Sequence, residues 1–211
     1  MTTIEYFYST HSAFAYIGAA RLLDITAAAG RRIVHRPIEL AEAMAAAGVT
    51  AFGERTPAHR SYFFGREVAR WAEYRDVPII SHRPTYHDND LALSSGLLIA
   101  AIEDGLNVDQ LCYALMCAHW REDADLADAG TLAKVAQSIG FEPEPLLAKA
   151  LTPHVQEIYA ANTAEAITRS VFGSPTYFVD GDMFYGQDHL ELVDRAPQNP
   201  FGGAPSGNSE G

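Results

Sequence analysis

The chain has 211 residues, 48% apolar and 10% aromatic, with a formal net charge of −12. That is enough for one large domain, or a domain with an insertion, and the negative charge argues against nucleic acid or an anionic membrane surface as partner, because phosphate binding needs a basic face. No apolar stretch reaches transmembrane length, and the opening Met-Thr-Thr-Ile-Glu lacks the basic and apolar regions of a signal peptide, so a cytoplasmic protein is expected.

Residues 4–8 are aromatic and β-branched and read as a strand. A polar turn, Ser9-Thr10-His11-Ser12, leads into an alanine-rich helix over 13–29, which Gly30 is placed to stop. Residues 33–36 read as a second strand that Pro37 ends. Strand, helix, strand over so few residues is a βαβ unit, so the two strands are expected to run parallel through a right-handed crossover.

From about residue 40 to 169 the signals are helical: 58–74, 92–104, 108–121, 131–139, 144–150 and 155–170, with turns at Asp76-Val77-Pro78, Arg83-Pro84, Gly105, Gly140 and Thr152-Pro153. Cys112 and Cys117 lie five residues apart in one of these helices, about 140° around it, which opposes a mutual disulfide. No other Cys or His except His119 stands near them, so no metal site is expected. After the helices, 175–179 and 183–185 read as strands joined by Asp180-Gly181, a type I′ hairpin signal. A closing helix is expected over 188–196. Residues 197–211, rich in Pro, Gly, Ser and Asn, read as a flexible tail.

The order is βαβ, a large all-helical insertion, then ββα. Periodicity supports an α/β class with a helical subdomain. The division is 1–39 with 170–196 as one domain, 40–169 as the insertion and 197–211 as the tail. Two features narrow this to a thioredoxin-like fold: Ser12 at the start of the first helix, and Ser174-Pro175-Thr176 near the end. In such folds the reactive residue caps the first helix and faces a cis-proline turn. Thioredoxins have Cys-x-x-Cys at that helix start. This chain has Ser12-Ala13-Phe14-Ala15, which cannot exchange disulfides. The chemistry then needs a bound thiol, glutathione being the natural one.

The residues Phe7-Tyr8…Ser12-x-Phe14-x-Tyr16, Arg66…Arg70-Trp71-Ala72…Pro78, and Val171-Phe172-Gly173-x-Pro175-Thr176…Met183-x-x-Gly186-x-Asp188 resemble the 2-hydroxychromene-2-carboxylate isomerases. They also resemble the kappa-class glutathione transferases, both within the DsbA-like thioredoxin superfamily. The resemblance spans roughly 4–196. It implies a glutathione-dependent isomerase of aromatic catabolism, a homodimer, acting on a small aromatic carboxylate. A transferase consuming glutathione and a non-catalytic glutathione-binding protein are the alternatives.

The resemblance makes Ser12 the catalytic residue, donating to the sulfur at a helix N-terminus where the thiolate is favoured; its plain reading is an N-cap. Ser174 and Pro175 are expected to pair with the cysteinyl backbone, with Pro175 cis. Gly186, Gln187 and Asp188 are expected to hold the γ-glutamyl end. Arg55 and Arg60 are candidates for the substrate carboxylate, and Tyr86 for a substrate contact. His11 is a candidate for substrate contact, acid–base work or thiolate stabilisation. The chain departs from the family at Ala13, where proline is usual, at Ser174, where valine is common, at Glu54-Arg55, where an Asn-Arg pair is usual, and at His189, where arginine is frequent.

Overall fold

The computed structural model describes residues 3–202. Its first strand, β1 (Thr3–Tyr8), feeds α1 (Ala13–Ala28), which returns to β2 (Arg32–Pro37). The strands are parallel, in register from Thr3 opposite Arg32 to Tyr8 opposite Pro37, and Gly30 takes the left-handed conformation (φ +59) at the helix stop. Then come α2 (Leu40–Ala46), α3 (Pro57–Arg60), a π-helical stretch (Ser61–Glu67), α4 (Val68–Tyr74), α5 (Ala92–Glu103), α6 (Asp109–Glu122), α7 (Ala129–Ser138), α8 (Pro143–Ala150) and α9 (Pro153–Thr168). The chain closes with β3 (Thr176–Val179), β4 (Asp182–Tyr185), a 3-10 turn (Gln187–His189) and α10 (Leu190–Arg195).

The sheet order is β2-β1-β3-β4, with β3 antiparallel to both β1 and β4. Asp180 and Gly181 both have positive φ, 50° and 89°, as a type I′ turn requires. Parallel β1 and β2 beside antiparallel β3 and β4 are the thioredoxin-like arrangement expected from the sequence.

β1 alternates faces, as the period of two in a strand demands. Ile4, Tyr6 and Tyr8 join the main core, while Phe7 packs on the other face with Ile38, Ala166, Val171 and Phe178. Tyr6 stacks on Tyr8 and Tyr177, ring centroids 4.3 and 5.3 Å apart. His35 on β2 donates through Nε2 to Asp109 Oδ1 (2.9 Å) and accepts at Nδ1 from the Tyr8 hydroxyl (3.1 Å), tying the sheet to α6. The inserted helices share one core with the sheet: Ile17 and Leu22 of α1 cluster with Leu97, Leu111 and Leu115.

α5 is the most enclosed helix, buried from Ser94 to Ala101. Gly96 lets it approach α8: a Cβ there would sit 2.1 Å from the Ala150 carbonyl oxygen. Because that obstacle is backbone, Gly96→Ala forces the helices apart. We expect it to destabilise the protein by about 2 kcal/mol, measured by urea denaturation; an unchanged midpoint would contradict this packing.

Three expectations change. The single helix over 58–74 is interrupted by the π-helical stretch. The closing helix starts later, after a 3-10 turn. The tail is packed at its beginning: Phe201 lies against Phe184 (6.0 Å), and the Arg195 guanidinium covers its ring at 4.2 Å. Residues 203–211, the rest of the expected tail, lie outside the described residues. Among the described residues no helix is long and apolar enough to cross a membrane.

Candidate functional site

Ser12 sits where β1 hands over to α1. The turn closes through Ser12 N–H to the Ser9 carbonyl (3.0 Å), and Ser12 Oγ accepts from Ala15 N–H (3.3 Å) as the helix N-cap. Thr10 Oγ1 anchors this turn to Ser94 of α5 (3.2 Å). Across from it, the Ser174–Pro175 peptide is cis. The Ser12 hydroxyl donates to the Ser174 carbonyl (3.0 Å), and Ser174 Oγ accepts from Ser9 N–H (3.1 Å). Serine in place of the usual valine therefore stitches the two turns together. Pro175 continues the chain of contacts, its carbonyl accepting from Gly186 N–H (2.9 Å).

Gly186 has φ +95, and a Cβ there would lie 2.2 Å from Asp188 Oδ1, so no other residue fits this turn. The Asp188 carboxylate is half-exposed and lies 3.7 Å from His189 Nδ1. The side chain of Gln187 turns inward from this turn. It is 1% exposed, Arg75 Nε donates to its Oε1 (3.1 Å), and a second Arg75 nitrogen donates to its carbonyl oxygen (3.1 Å). Its side chain is a strut under the turn, packed against Gly18 of α1, and its Nε2 is buried without a hydrogen-bond partner among the described residues. Arg75, which also pairs with Glu191 at 2.9 Å, carries the turn and has no sequence signature.

Beside this junction lies a cavity of about 1100 Å³, lined by His11 and by apolar side chains such as Met44, Val49, Val68 and Ile79. The helical segment that contains the π stretch forms one wall through Arg60, Ser61, Phe64, Gly65, Val68 and Ala72. Arg55, Arg60 and Arg83 also line it. Arg55 donates to the Thr50 carbonyl (3.1 Å) and Arg60 to the Gly53 carbonyl (3.2 Å), which holds both guanidiniums at the cavity. Arg83 pairs with Asp88 at 2.7 Å. Tyr86 is 43% exposed and is not a lining residue: the turn that carries it directs His87 and Asp88 to the cavity instead.

His11 is one of three histidines stacked at this edge. Its ring lies 4.6 Å from that of His87, and His87 Nδ1 is 3.0 Å from His119 Nε2. Burial, reinforced by the neighbouring His119, lowers the His11 pKa to about 4. Burial followed by His11 and His119 lowers His87 to about 3, and burial also lowers His119. All three rings are therefore neutral near pH 7. His87 and His119 belong to no motif, and only the fold brings them to His11. Burial raises the Cys112 thiol to about 12 and also raises Cys117, so neither is a thiolate at neutral pH. Among the described residues no His, Cys, Asp and Glu grouping has the arrangement to hold a metal.

The sequence profile of the DSBA-like thioredoxin domain family matches residues 3–198. A 2-hydroxychromene-2-carboxylate isomerase from Sphingobium xenophagum is 27% identical over 192 residues, covering 91% of this chain and 96% of that protein. Among solved structures, a 2-hydroxychromene-2-carboxylate isomerase superposes with a TM-score of 0.75 at 22% identity, covering 93% of this chain and 94% of that one. The cytosolic disulfide reductase DsbM from Pseudomonas aeruginosa with GSH superposes at 0.62 and 17% identity, covering 94% and 93%.

Proposed function

Because the chain belongs to the DSBA-like thioredoxin domain family, we propose that it is a glutathione-dependent isomerase. On this reading it interconverts 2-hydroxychromene-2-carboxylate and trans-o-hydroxybenzylidenepyruvate, or a close analogue, in aromatic catabolism. It acts as a homodimer in the reducing cytoplasm. The observation that carries the reading is a junction. The Ser12 hydroxyl caps α1, faces the cis Ser174–Pro175 turn at 3.0 Å, and is followed at once by a cavity with three arginines on its walls. The isomerase relatives add to this, and the reductase with GSH shows glutathione on the same fold.

The residues present fit glutathione. The Ser9 hydroxyl is buried without a hydrogen-bond partner among the described residues, next to the Ser12–Ser174 contact. At the Gly186 turn the space beside the backbone is taken by the Asp188 carboxylate, whose Oδ1 would lie 2.2 Å from a Cβ there. Asp188 is the half-exposed carboxylate there, suited to an ammonium group. Bound glutathione supplies a nucleophilic sulfur whose reversible addition to a conjugated carbon makes the former double bond free to rotate.

The protein's contribution is positional and electrostatic. The Ser12 hydroxyl turns from the Ser174 carbonyl toward the sulfur, where the α1 N-terminus favours negative charge. Arg55 and Arg60, held by backbone carbonyls of their own loop, face the substrate carboxylate. The apolar wall shields the reacting carbons from water. Cys112 and Cys117, protonated and set in α6, play no part.

Calorimetric titration of reduced glutathione into the protein tests the reading. Saturable one-site binding is expected, with glutathione conserved during turnover of trans-o-hydroxybenzylidenepyruvate. Absence of binding at millimolar glutathione would end it, and stoichiometric consumption of glutathione would make the protein a transferase.

A further inference from the structure

The histidine stack is a larger construction than the isomerase reading requires. His119 Nδ1 lies 3.2 Å from the Ala124 carbonyl oxygen. A carbonyl only accepts, so His119 carries its proton on Nδ1. In the neutral ring Nε2 is then bare, and it accepts the Nδ1–H of His87 at 3.0 Å. His87, neutral in turn, presents a bare Nε2. That atom has no hydrogen-bond partner among the described residues, and His87 lines the cavity.

The ring has little freedom to turn away. One face lies against His11 at 4.6 Å and an interplanar angle of 16°, and Trp120 meets it edge-on at 5.4 Å. Trp120 is fixed by its indole N–H, which donates to the His11 carbonyl (3.0 Å). Of the charged groups beside the stack, Arg83 and Asp88 are paired with each other, while Asp123 and Asp125, which act on His119, accept from Thr85 N–H (2.7 Å) and the Asn89 amide (2.9 Å). A backbone carbonyl outside the cavity thus dictates, through two rings, which kind of hydrogen bond the cavity offers at His87.

We propose that His87 Nε2 is a fixed hydrogen-bond acceptor that selects an aromatic ligand bearing a free hydroxyl. Such an acceptor discriminates, because an analogue without the hydroxyl leaves the nitrogen unpaired inside the occupied cavity. His119 and Ala124 are positioning groups and touch no ligand. This inference rests on the proposed substrate class and adds to it the feature that the arginines, which read only a carboxylate, do not select.

Two measurements test it. The first compares the dissociation constants of trans-o-hydroxybenzylidenepyruvate and benzylidenepyruvate, which lacks the hydroxyl. Tryptophan fluorescence reads binding without glutathione, so that no turnover occurs. The hydroxylated compound is expected to bind about 10- to 100-fold tighter, with the ratio falling to within about threefold in His87→Phe. Equal affinities in the wild-type protein, or a preference that survives in His87→Phe, would overturn the inference and leave the isomerase reading standing. If neither compound binds, the substrate reading falls and this inference with it. The second measurement needs no variant: nitrogen-15 NMR of the histidines at pH 7 should show His87 as the Nδ1–H tautomer. An Nε2–H tautomer would overturn the proposal.

Discussion

Replacing Ser12 with alanine is expected to lower isomerase turnover by about 100- to 1000-fold, the usual cost of losing a donor aimed at developing or stabilised negative charge. The fold should survive. The N-cap bond to Ala15 and the bond to the Ser174 carbonyl are each worth on the order of 1 kcal/mol, within the margin of a domain with this core. Turnover and thermal midpoint therefore move by very different amounts. Two controls separate a sulfur-directed hydroxyl from a simple cap. The pKa of bound glutathione, followed by thiolate absorbance, should rise in Ser12→Ala. Ser12→Asp, an N-cap residue with no hydroxyl to donate, should be as inactive as alanine, and it should also cost stability because its carboxylate meets the Ser174 carbonyl oxygen. If aspartate restores turnover, or if alanine costs less than about threefold, the serine is only a cap and the isomerase chemistry must be sought elsewhere.

Much of the architecture was legible because it is local. The aromatic and β-branched residues 4–8 mark the strand, Gly30 the helix stop and Asp180-Gly181 the hairpin, each set by preferences of a few adjacent residues. The facing of Ser12 and Pro175 came from motif order. Contacts between distant segments left no such trace. Nothing in residues 58–74 distinguishes a regular helix from one carrying a π stretch, because the seven residues Ser61–Glu67 are too few for the apolar pattern to separate i→i+5 from i→i+4 bonding. Gln187 sits beside Gly186 and Asp188 in sequence, yet Arg75, from a helix far earlier in the chain, draws its side chain inward. At Tyr86 the local signal stops at the turn: Arg83-Pro84 marks it, but packing sets which of its residues line the cavity, and these are His87 and Asp88. Phe201 was hidden in a stretch of Pro, Gly and Asn whose composition promised no packing. His87 and His119 are single histidines on different elements, and only the packing of the turn after α4 against the end of α6 makes a cluster of them.

That cluster should govern how the protein responds to acid. We expect stability to hold above about pH 6.5 and to fall by roughly 3 kcal/mol between pH 6.5 and 4.5, well before the carboxylates contribute. The reason is one of sign. His11, lowered to about 4, and His87, lowered to about 3, both resist protonation in the folded chain, as does His119. Unfolded histidines take up protons near pH 6.5. As pH falls through that value the unfolded state binds protons that the native state refuses, and the equilibrium shifts toward unfolding until the folded pKa values are reached. A fully buried histidine would contribute up to about 1.4 kcal/mol per pH unit in this window; the stack lines an open cavity, and solvent screening reduces the combined slope to about that of one such group. Paired carboxylates such as Glu5 and Asp109 are lowered in the folded state, so they too lose stability as pH falls, but only below their ordinary range near 4. Urea denaturation at pH 7.5, 6.5, 5.5 and 4.5 measures the slope. His87→Gln removes one titrating ring and takes the repulsion from His11, so the slope should fall by about half while stability at pH 7.5 changes little. A profile flat down to pH 4.5, or one equally steep in His87→Gln, would mean that the three rings do not titrate as a buried stack, and the neutral relay from Ala124 to His87 would lose its basis.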